Sequence, residues 1–343
     1  MTELLADHTT FGLGGPARRW QEPTTEAELI QAVTSADDAG EPVLVLGGGS
    51  NVVIADDGFD GTVIHTGKLR GIHTEDVAAC SGAFVTAAAG EPWDGFVAAA
   101  VAEQRVGVEA LSGIPGYVGT APIQNVGAYG QEVADTIARV RTWDRVQREI
   151  HTYSLAECEF GYRLSRFKRD PNRWVVLAVS FQFALGEWSA PVRYTELARR
   201  LGVAVGERAP LSQVREVVLE LRRGKGMVYD PADPDSHSAG SFFTNPILPS
   251  VEDVPEGAPV FLQDDGTAKT SAAWLIEHAG FGKGFAHGQA RLSSKHCLAL
   301  TNPGSASTAE VIDLAREIRE GVSRAFGLVL EPEPRLVGVS LDR

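Results

Sequence analysis

The sequence has little cysteine, and the spacing of its thiols argues against two kinds of structural site. Cys80, Cys158 and Cys297 lie far apart in a chain of 343 residues, and no Cys-x-x-Cys pair occurs. Disulfide-rich domains and structural zinc sites place their cysteines in short, paired spacings. The eight histidines show no ligand spacing either. We therefore expect neither a disulfide framework nor a metal site.

An excess of basic residues and a long hydrophobic run are also missing. The chain has 31 basic and 45 acidic residues, a net charge of -14. Nucleic acids and anionic membranes require a basic face, so neither is expected as the main partner. No apolar stretch could span a bilayer, and residues 1–8 lack the apolar core of a signal peptide. These absences predict a cytoplasmic protein with no membrane insertion.

The patterns that are present predict two or three domains of mixed helix and strand. Capping boxes begin at Thr25 and Ser307, each before apolar residues at helical spacing, and Gly327 is placed to end the last helix. Helices are predicted for about 25–40, 92–104, 211–223, 271–278 and 307–327. Strands are predicted for 43–46, 52–54, 62–65, 139–143, 174–183 and 328–330. The main domain boundary is predicted near residue 207.

Three consecutive glycines separate two apolar segments near the N-terminus. Gly47, Gly48 and Gly49 are followed by the polar pair Ser50 and Asn51. Glycine lets successive backbone N–H groups converge on an anion, because no Cβ blocks the approach. No Gly-Lys-Ser/Thr follows, which argues against a P-loop, and the next residues favour a strand over the helix of a Rossmann fingerprint. The pattern is typical of a phosphate-binding turn between strands, while a tight turn without a ligand stays open.

A second glycine-rich segment covers residues 111–130. Its apolar residues argue against a disordered linker, and a loop of this length is otherwise typical of a functional site. The part at 124–130 mixes amide side chains with small residues, which suits a backbone lying against a flat, hydrogen-bonding ring system. A plain surface connection is the alternative interpretation.

Short motifs in a fixed order run through nearly the whole chain. They lie at residues 10–15, 46–51, 113–130, 158–163, 239–246, 273–277 and 330–333. Together they resemble the UDP-N-acetylenolpyruvoylglucosamine reductase family. The resemblance implies an α+β fold with a two-lobed FAD-binding region of the vanillyl-alcohol-oxidase/p-cresol-methylhydroxylase type at 1–207, with lobes 1–72 and 73–207. It also implies a C-terminal α/β substrate-binding domain at 208–343, whose tail returns to the active site.

The resemblance implies a reaction as well. NADPH would reduce a non-covalently bound FAD, and the reduced flavin would pass hydride to UDP-N-acetylglucosamine enolpyruvate to form UDP-N-acetylmuramate. This step belongs to peptidoglycan precursor synthesis, and hence to cell-wall biogenesis, cell shape and cell division. The resemblance also implies that NADPH and the UDP-sugar use one cleft in turn, and the sequence has no second nucleotide fingerprint. The expected protein is a monomer. An oxidase of the same flavin fold and a non-catalytic nucleotide-sugar binding protein are the rival interpretations.

Three residues match the family's catalytic roles. By the resemblance, Arg163 would grip the substrate carboxylate bidentately and stabilise the enolate, Glu333 would assist, and Ser241 would donate the proton. Without the resemblance, Arg163 is better explained as part of a surface basic run, Ser241 as a turn cap and Glu333 as part of a solvated tail.

The family's ligand contacts also map onto this sequence. The implied cofactor-binding residues are Gly47, Gly48, Gly49, Ser50, Asn51, Gly113, Ile114, Pro115, Gly116, Gly119, Gln124, Asn125 and Gly127. The implied substrate-binding residues are Tyr129, Tyr162, Tyr194, Lys225, Asn245 and His278. Lys225 would meet the diphosphate, although many relatives have Lys-Leu-Pro where this chain has Lys225-Gly226-Met227. Tyr194 is either a residue of a lid over the substrate or an ordinary helix start.

Overall fold

The computed structural model describes residues 3–78 and 80–342. The chain divides into two compact units. The large unit consists of Ala17–Gly48 and Asp60–Gly224, and the small unit consists of Met1–Pro16, Gly49–Phe59 and Lys225–Arg343. These units differ in their bounds from the predicted domains 1–207 and 208–343, which stay a prediction. Residues 208–224 pack with the large unit, and two N-terminal segments pack with the C-terminal part of the chain.

The helices of the described residues begin close to where the capping patterns place them. They are α1 (Glu26–Asp38), α2 (Trp93–Ala102), α3 (Arg166–Arg169), α4 (Thr195–Leu201), α5 (Leu211–Gly224), α6 (Ala272–His278) and α7 (Thr308–Phe326). The side chain of Thr25 accepts from the Glu28 amide at the start of α1, and Ser307 and Glu310 form a reciprocal capping box at α7. None of the helices among the described residues combines the length and apolar character that crossing a bilayer requires.

The strands are short and numerous. They are β1 (Ala17–Gln21), β2 (Val43–Leu46), β3 (Val52–Ile54), β4 (Phe59–His65), β5 (Ile72–Ala78), β6 (Gly82–Ala88), β7 (Arg105–Val106), β8 (Gly127–Ala128), β9 (Gln131–Glu132), β10 (Ile137–Asp144), β11 (Glu149–Ser154), β12 (Trp174–Leu185), β13 (Ile247–Leu248), β14 (Val260–Leu262), β15 (Ala268–Thr270), β16 (Ala286–His287), β17 (Ala290–Leu292), β18 (Leu300–Thr301) and β19 (Arg335–Val337).

Two larger sheets, the short antiparallel pair β8–β9 and a core of large side chains belong to the large unit. One sheet has the order β1-β4-β2, with β2 and β4 parallel, and the other has the order β11-β10-β12-β6-β5 with antiparallel neighbours. The α2 residues Trp93 and Phe96 contact Phe181 and Phe183 of β12, and all four side chains are at most 2% exposed. This packing fixes the position of the N-terminus of α2, beside which the second glycine-rich segment runs.

Residues 208–224 belong to the large unit because α5 has an apolar face. Val214 and Val218 of α5 form a separate cluster with Val192 and with Leu197 of α4. The burial of these side chains draws α5 onto the preceding segment, since each buried aliphatic side chain contributes roughly 1.5–3 kcal/mol. A boundary drawn by sequence motifs at 207 therefore separates a helix from its packing partners.

The small unit is built around α6 and α7. Two three-stranded antiparallel sheets, β13-β15-β14 and β16-β17-β18, and the parallel pair β3–β19 belong to it. Its core joins side chains from all parts of the unit, including Phe11, Val53, Leu275 and Ile318, none of which is exposed. Residues of the two N-terminal segments are thus part of this core.

One predicted strand is wrong and several strands were not predicted. Residues 328–330 form no strand; Leu330 is buried in the core, and pairing with β3 begins only at Arg335. The hairpin of β5 and β6 went unpredicted because most of β5 is exposed on both faces and carries no alternating apolar signal. Most strands of the small unit have two or three residues, too short for a periodic pattern.

Candidate active site

The two glycine-rich segments predicted from the sequence meet within the large unit. A Cβ at Gly47 would lie 2.4 Å from the Thr120 methyl group, and a Cβ at Gly48 would lie 2.8 Å from the Cα of Gly116. Both separations are below the closest contact that real Cβ atoms show. Gly48 requires glycine because the backbones of the two segments approach each other directly, whereas at Gly47 the side chain of Thr120 occupies the space.

Gly49 is needed for a different reason. It has a φ of +59°, and an added Cβ would lie 1.9 Å from the His8 carbonyl oxygen. The Gly49 carbonyl accepts a hydrogen bond from the Thr10 amide at 3.1 Å. Gly49, Ser50 and Asn51 belong to the small unit, while Gly47 and Gly48 belong to the large one. The predicted strand–turn–strand arrangement is present, but β2 and β3 join different sheets.

The second glycine-rich segment is hydrogen-bonded to the chain before α2. The Trp93 amide donates to the Gly116 carbonyl at 2.9 Å, and the Gly119 amide donates to the Ala89 carbonyl at 2.8 Å. A Cβ at Gly119 would lie 2.5 Å from the Cβ of Ala89. The result is a backbone held by hydrogen bonds, with glycine at the points of closest approach. Such a backbone fits a dinucleotide, whose phosphates and ring need close approach to backbone N–H groups.

Arg163 is held in a strained conformation near the same surface. Its φ is +52°, its Nη2 donates to the Gly127 carbonyl at 3.1 Å, and its guanidinium carbon lies 5.6 Å from the ring centroid of Tyr162. Asn125 is also left-handed, with φ +47°. The Asn125 side chain donates to Glu132 at 2.6 Å and to the Gly161 carbonyl at 3.2 Å. Asn125 thereby connects the second glycine-rich segment to the loop that carries Arg163.

The basic run beside Arg163 stabilises its loop. Arg166 and Arg169 both donate to the Glu159 carboxylate, and Lys168 donates to the Arg163 carbonyl at 3.0 Å. Glu159 itself is left-handed at φ +50°. The surface-run interpretation therefore applies to the three basic residues of α3, whereas Arg163 points back towards Gly127.

Arg222 is a buried cation close to Arg163. It is only 8% exposed, and its burial lowers the pKa of the guanidinium to about 10, with Tyr129 and Asp94 opposing that shift and Arg163 adding to it. The sequence indicates Arg222 only as one member of a basic helix end. The large unit thus holds two guanidinium groups near Tyr129, which favours an anionic ligand there.

The predicted substrate residues of the large unit lie together. Tyr194 is the residue before α4, and its ring stands edge-on to that of Tyr129 with centroids 5.3 Å apart. Tyr129 has a φ of +50°, and Tyr194 is 42% exposed. Tyr194 therefore starts a helix and also contacts a second predicted substrate residue, so both interpretations of it are compatible with its position.

Ser241 and Glu333 are brought together in the small unit by backbone pairing. The Glu333 amide donates to the Phe242 carbonyl at 2.8 Å, and the Thr244 amide donates to the Glu331 carbonyl at 3.0 Å. The residue after Ser241 thus pairs with Glu333 itself. The predicted proton donor and the predicted acid lie on adjacent chains, although 92 positions separate their numbers in the sequence.

Asn51 connects Glu333 to the first glycine loop. The Asn51 carbonyl accepts from the Arg335 amide at 3.0 Å, and the Asn51 side chain donates to the Glu333 carbonyl at 3.4 Å. The chain at residues 333–335 therefore has the end of the first glycine loop on one side and the Ser241 segment on the other.

Two further predicted substrate residues of the small unit have partners within it. The Asn245 side chain accepts from the Ala272 amide at 2.9 Å, at the start of α6. The His278 Nδ1 donates to the Trp274 carbonyl at 2.8 Å, and the two rings stack with centroids 3.8 Å apart. Asn245 thus helps to start a helix and His278 packs along it. Lys225 is the first residue of the small unit after α5.

The two buried thiols provide no nucleophile, and the described residues contain no metal-binding cluster. Burial is the largest cause that raises the pKa of Cys158 and of Cys297 to about 12, so neither is a thiolate nucleophile near neutral pH. Across residues 3–78 and 80–342, no group of three or more His, Cys, Asp and Glu side chains is placed to hold a metal ion.

Comparison with known proteins identifies the family. Residues 19–152 match the model of an FAD binding domain, and residues 231–337 match that of the UDP-N-acetylenolpyruvoylglucosamine reductase C-terminal domain. A UDP-N-acetylenolpyruvoylglucosamine reductase of Cutibacterium acnes is 57% identical over 340 residues, covering 98% of this chain and 90% of that protein. The chain belongs to the UDP-N-acetylenolpyruvoylglucosamine reductase family.

Further relatives agree with this membership. The UDP-N-acetylenolpyruvoylglucosamine reductase of Thermobifida fusca is 52% identical over 350 aligned positions, covering 98% of this chain and 97% of that protein. The crystal structure of the reductase from Thermus caldophilus superposes with a TM-score of 0.66 at 27% identity, covering 98% of both chains. As a member of this reductase family with an FAD binding domain, the chain is an FAD oxidoreductase. The predicted fold class is confirmed.

Two residues of this reductase were missed at the sequence level. Asp94 of α2 and Arg215 of α5 form a bidentate ion pair, and Asp94 also accepts from the amide of Gly113. Neither lies in a recognised motif, and 121 positions separate them. The signal available was weak: Asp94 occupies the first turn of a helix, where a carboxylate is favourable.

Proposed function

We propose that this chain reduces UDP-N-acetylglucosamine enolpyruvate to UDP-N-acetylmuramate in peptidoglycan precursor synthesis, with NADPH as the source of electrons. The observation that carries the proposal is the pairing of Glu333 with the Ser241 segment beside the end of the first glycine loop. An oxidase has no need for a proton donor held in this way. Family membership supports the choice of reaction. The corresponding cellular location is the cytoplasm, where NADPH is available.

The glycine loops provide the proposed FAD contacts. Backbone N–H groups of Gly47, Gly48 and Gly49 with the side chains of Ser50 and Asn51 would meet the phosphates. The segment from Gly113 to Gly119 and the residues Gln124, Asn125 and Gly127 would lie along the rest of the nucleotide. When bound, FAD supplies the hydride that NADPH provides. The two-lobed region 1–207 and the substrate domain 208–343 are the corresponding functional domains.

Arg163 is proposed to bind the carboxylate of the substrate. A planar guanidinium can donate two parallel hydrogen bonds to the carboxylate of the enolpyruvyl group. As hydride reaches the terminal carbon of the double bond, negative charge develops next to that carboxylate and spreads onto its oxygens. A cation positioned there before reaction stabilises this charge more than the ground state. The strained backbone and the hydrogen bond to Gly127 hold the guanidinium in one orientation.

Ser241 is the proposed proton donor, and Glu333 assists at the enolate. A hydroxyl is a weak acid, but the carbanion that accepts its proton is far more basic, so position rather than acidity limits the transfer. A protonated Glu333 would share its hydrogen with the enolate oxygen. The backbone pairing of Glu333 with Phe242 holds the two groups on adjacent chains.

The remaining polar residues are proposed for substrate binding. Lys225 would contact the diphosphate, with Tyr129, Tyr162 and Asn245 around the uridine and the phosphates. The ring of Tyr194, which contacts Tyr129, would close over the substrate. His278 donates through Nδ1 to the Trp274 carbonyl, so it would contact the substrate through Nε2.

The replacement Ser241→Ala tests the proposal. Flavin reduction by NADPH should proceed at a near-normal rate, because Ser241 has no part in that step. Reoxidation of the reduced flavin by the UDP-sugar should slow by about 10²-fold or more, as expected when a positioned acid is lost. Rapid mixing that follows flavin absorbance measures both half-reactions separately.

Matched measurements distinguish this from other functions. Ser238→Ala is a control from the same segment; its hydroxyl accepts from the Gly240 amide at 3.2 Å. Equal slowing of both half-reactions in Ser241→Ala would remove Ser241 from its role. Oxygen consumption with an alcohol and no reaction with the UDP-sugar would point to an oxidase. A colourless protein that cannot take up FAD would contradict the proposed FAD-dependent reaction.

A further inference from the structure

Within the large unit, the carboxylate of Asp94 links helix α5 to the second glycine-rich segment. Its Oδ1 accepts from the Gly113 amide at 2.6 Å and from Arg215 Nη1 at 2.7 Å. Its Oδ2 accepts from Arg215 Nη2 at 2.9 Å. One carboxylate is therefore shared between a backbone amide and a bidentate guanidinium, which restricts the orientation of both.

The amide that Asp94 accepts from opens the second glycine-rich segment. Gly113 has a φ of +72° and is the first of the proposed flavin contacts there. Further along, Gly116 and Gly119 are bonded to Trp93 and Ala89 through backbone groups alone. The Asp94 side chain thus holds the first glycine of a segment whose next two glycines are held through backbone groups, and substitution can remove this side-chain contact selectively.

The charges around Asp94 favour the ionised form. Burial acts to raise the pKa of Asp94, but the hydrogen bonds from Arg215 and from the Gly113 amide, together with the nearby charges of Arg215 and Arg222, hold it below its ordinary value. Asp94 also lies in the first turn of α2, where the helix dipole favours an anion. The Asp94 carboxylate is therefore charged at neutral pH, and Arg215 is its matching cation.

We infer that Asp94 and Arg215 are positioning residues for the flavin: the ion pair holds the Gly113 amide, and with it the start of the 113–119 segment, in the conformation that accepts FAD. The inference rests on the proposed flavin contacts of that segment. It assigns to α5 a part in cofactor binding, through Arg215, which no sequence motif indicates.

A second ion pair in the large unit provides a matched control. Arg145 donates to both oxygens of Asp37 at 2.6 and 3.1 Å, and the two side chains are 17% and 22% exposed. Arg215 and Asp94 are 18% and 41% exposed. Both are bidentate pairs between elements far apart in sequence, but Asp37 accepts from no amide of a glycine-rich segment. Asp37→Ala therefore removes a similar ion pair without removing any contact of the second glycine-rich segment.

The test compares FAD affinity with stability in the full-length protein. FAD-loaded wild type, Asp94→Ala, Asp94→Asn, Arg215→Gln and Asp37→Ala are diluted, and free FAD is measured by its fluorescence to obtain Kd. Urea unfolding of the same proteins gives their stability. Asp94→Ala should raise the FAD Kd about tenfold or more, because the Gly113 amide loses its acceptor. Asp94→Asn and Arg215→Gln, which keep an acceptor but lose the ion pair, should raise Kd by less.

The expected pattern separates positioning from plain stability. Asp37→Ala should lower the urea midpoint but leave the FAD Kd within about twofold of wild type. Equal increases of Kd in Asp94→Ala and Asp37→Ala, or an unchanged Kd in Asp94→Ala, would overturn the inference. If Asp94→Ala does not fold, Arg215→Gln and Asp94→Asn decide the matter, and a wild-type Kd in both would overturn it as well. Failure of the wild type to bind FAD would instead contradict the proposed function.

Discussion

At the scale of single residues, the strained backbone positions mark the candidate site. The described residues include six non-glycine residues with positive φ, namely Gln104, Asn125, Tyr129, Arg148, Glu159 and Arg163. Four of these lie in the two segments that carry the proposed flavin and substrate contacts. A left-handed residue other than glycine costs roughly 1–2 kcal/mol and persists where the surroundings hold it. Around Arg163 that support comes from Lys168 and Gly127.

Two glycines provide a test of the first loop at this scale. Gly49 and Gly40 have nearly equal φ angles of +59° and +65°, but an added Cβ meets the His8 carbonyl at Gly49 and nothing within 4 Å at Gly40. Gly40→Ala should lower the free energy of unfolding by about 1 kcal/mol and leave the FAD content unchanged. Gly49→Ala should lower it further and lose most of the bound FAD, because the loop must move.

The ratio of FAD to protein in the purified variants measures their FAD content, and urea unfolding measures their stability. The two variants share the same backbone strain, so any difference between them reports the steric contact at Gly49. A normal FAD content in Gly49→Ala would show that the loop can adjust without loss of the cofactor site.

At the scale of elements, the short strand β19 determines where the Glu333 chain lies. β19 pairs in parallel with β3, which directly follows the first glycine loop. On its other side the same chain pairs with the Ser241 segment through an isolated bridge between Phe243 and Pro332. A chain with two neighbours has a fixed position, whereas the two prolines around Glu333 alone predict only an extended tail.

The amide of Arg335 allows this element to be tested. Arg335→Pro removes the N–H that donates to the Asn51 carbonyl at 3.0 Å, and Arg335→Ala keeps it. We expect kcat to be about tenfold lower in Arg335→Pro than in Arg335→Ala, with KM changing less, since the Glu333 chain is displaced while the other substrate contacts remain. Steady-state kinetics on both variants measures this difference. Similar kcat values in the two would show that the pairing is dispensable.

At the scale of the whole molecule, hydrogen-bonded carboxylates contribute to the response to acid. Asp144 is fully buried, accepts from Arg173 through both oxygens, and also accepts from the Val146 and Gln147 amides. Burial acts to raise the pKa of Asp144, but these bonds outweigh it and hold the pKa below the ordinary value of 3.8. The pKa values of Asp94 and Asp235 are also lowered. The native state therefore binds these protons more weakly than the unfolded chain.

The sign of the pH dependence follows from that difference. The contribution of these carboxylates to stability is complete above the unfolded pKa near 3.8 and is lost as the pH falls through the lowered native values. We expect the urea midpoint to be nearly constant from about pH 7 to pH 5 and to fall steeply below about pH 4. Asp144→Asn should reduce the midpoint at neutral pH and flatten the acid limb. If the urea midpoint of that variant falls as steeply with acid as that of the wild type, Asp144 does not contribute to the pH dependence.

The sequence by itself determined the features that depend on neighbouring residues. The capping residues Thr25 and Ser307 located two helices because a cap acts on amides two or three positions away. The run Gly47–Gly49 indicated a backbone nest for the same local reason. The order of the motifs determined the family, and with it the expected roles of Arg163, Ser241 and Glu333.

Only the tertiary structure decided which distant segments meet. The contact of Gly48 with Gly116, the sharing of Asp94 between Gly113 and Arg215, and the pairing of β19 with β3 each join residues about 20 to 280 positions apart. Such contacts leave no periodic pattern, because they depend on where the burial of apolar side chains places each element. The first glycine loop could be recognised locally, but its neighbours are a property of the fold.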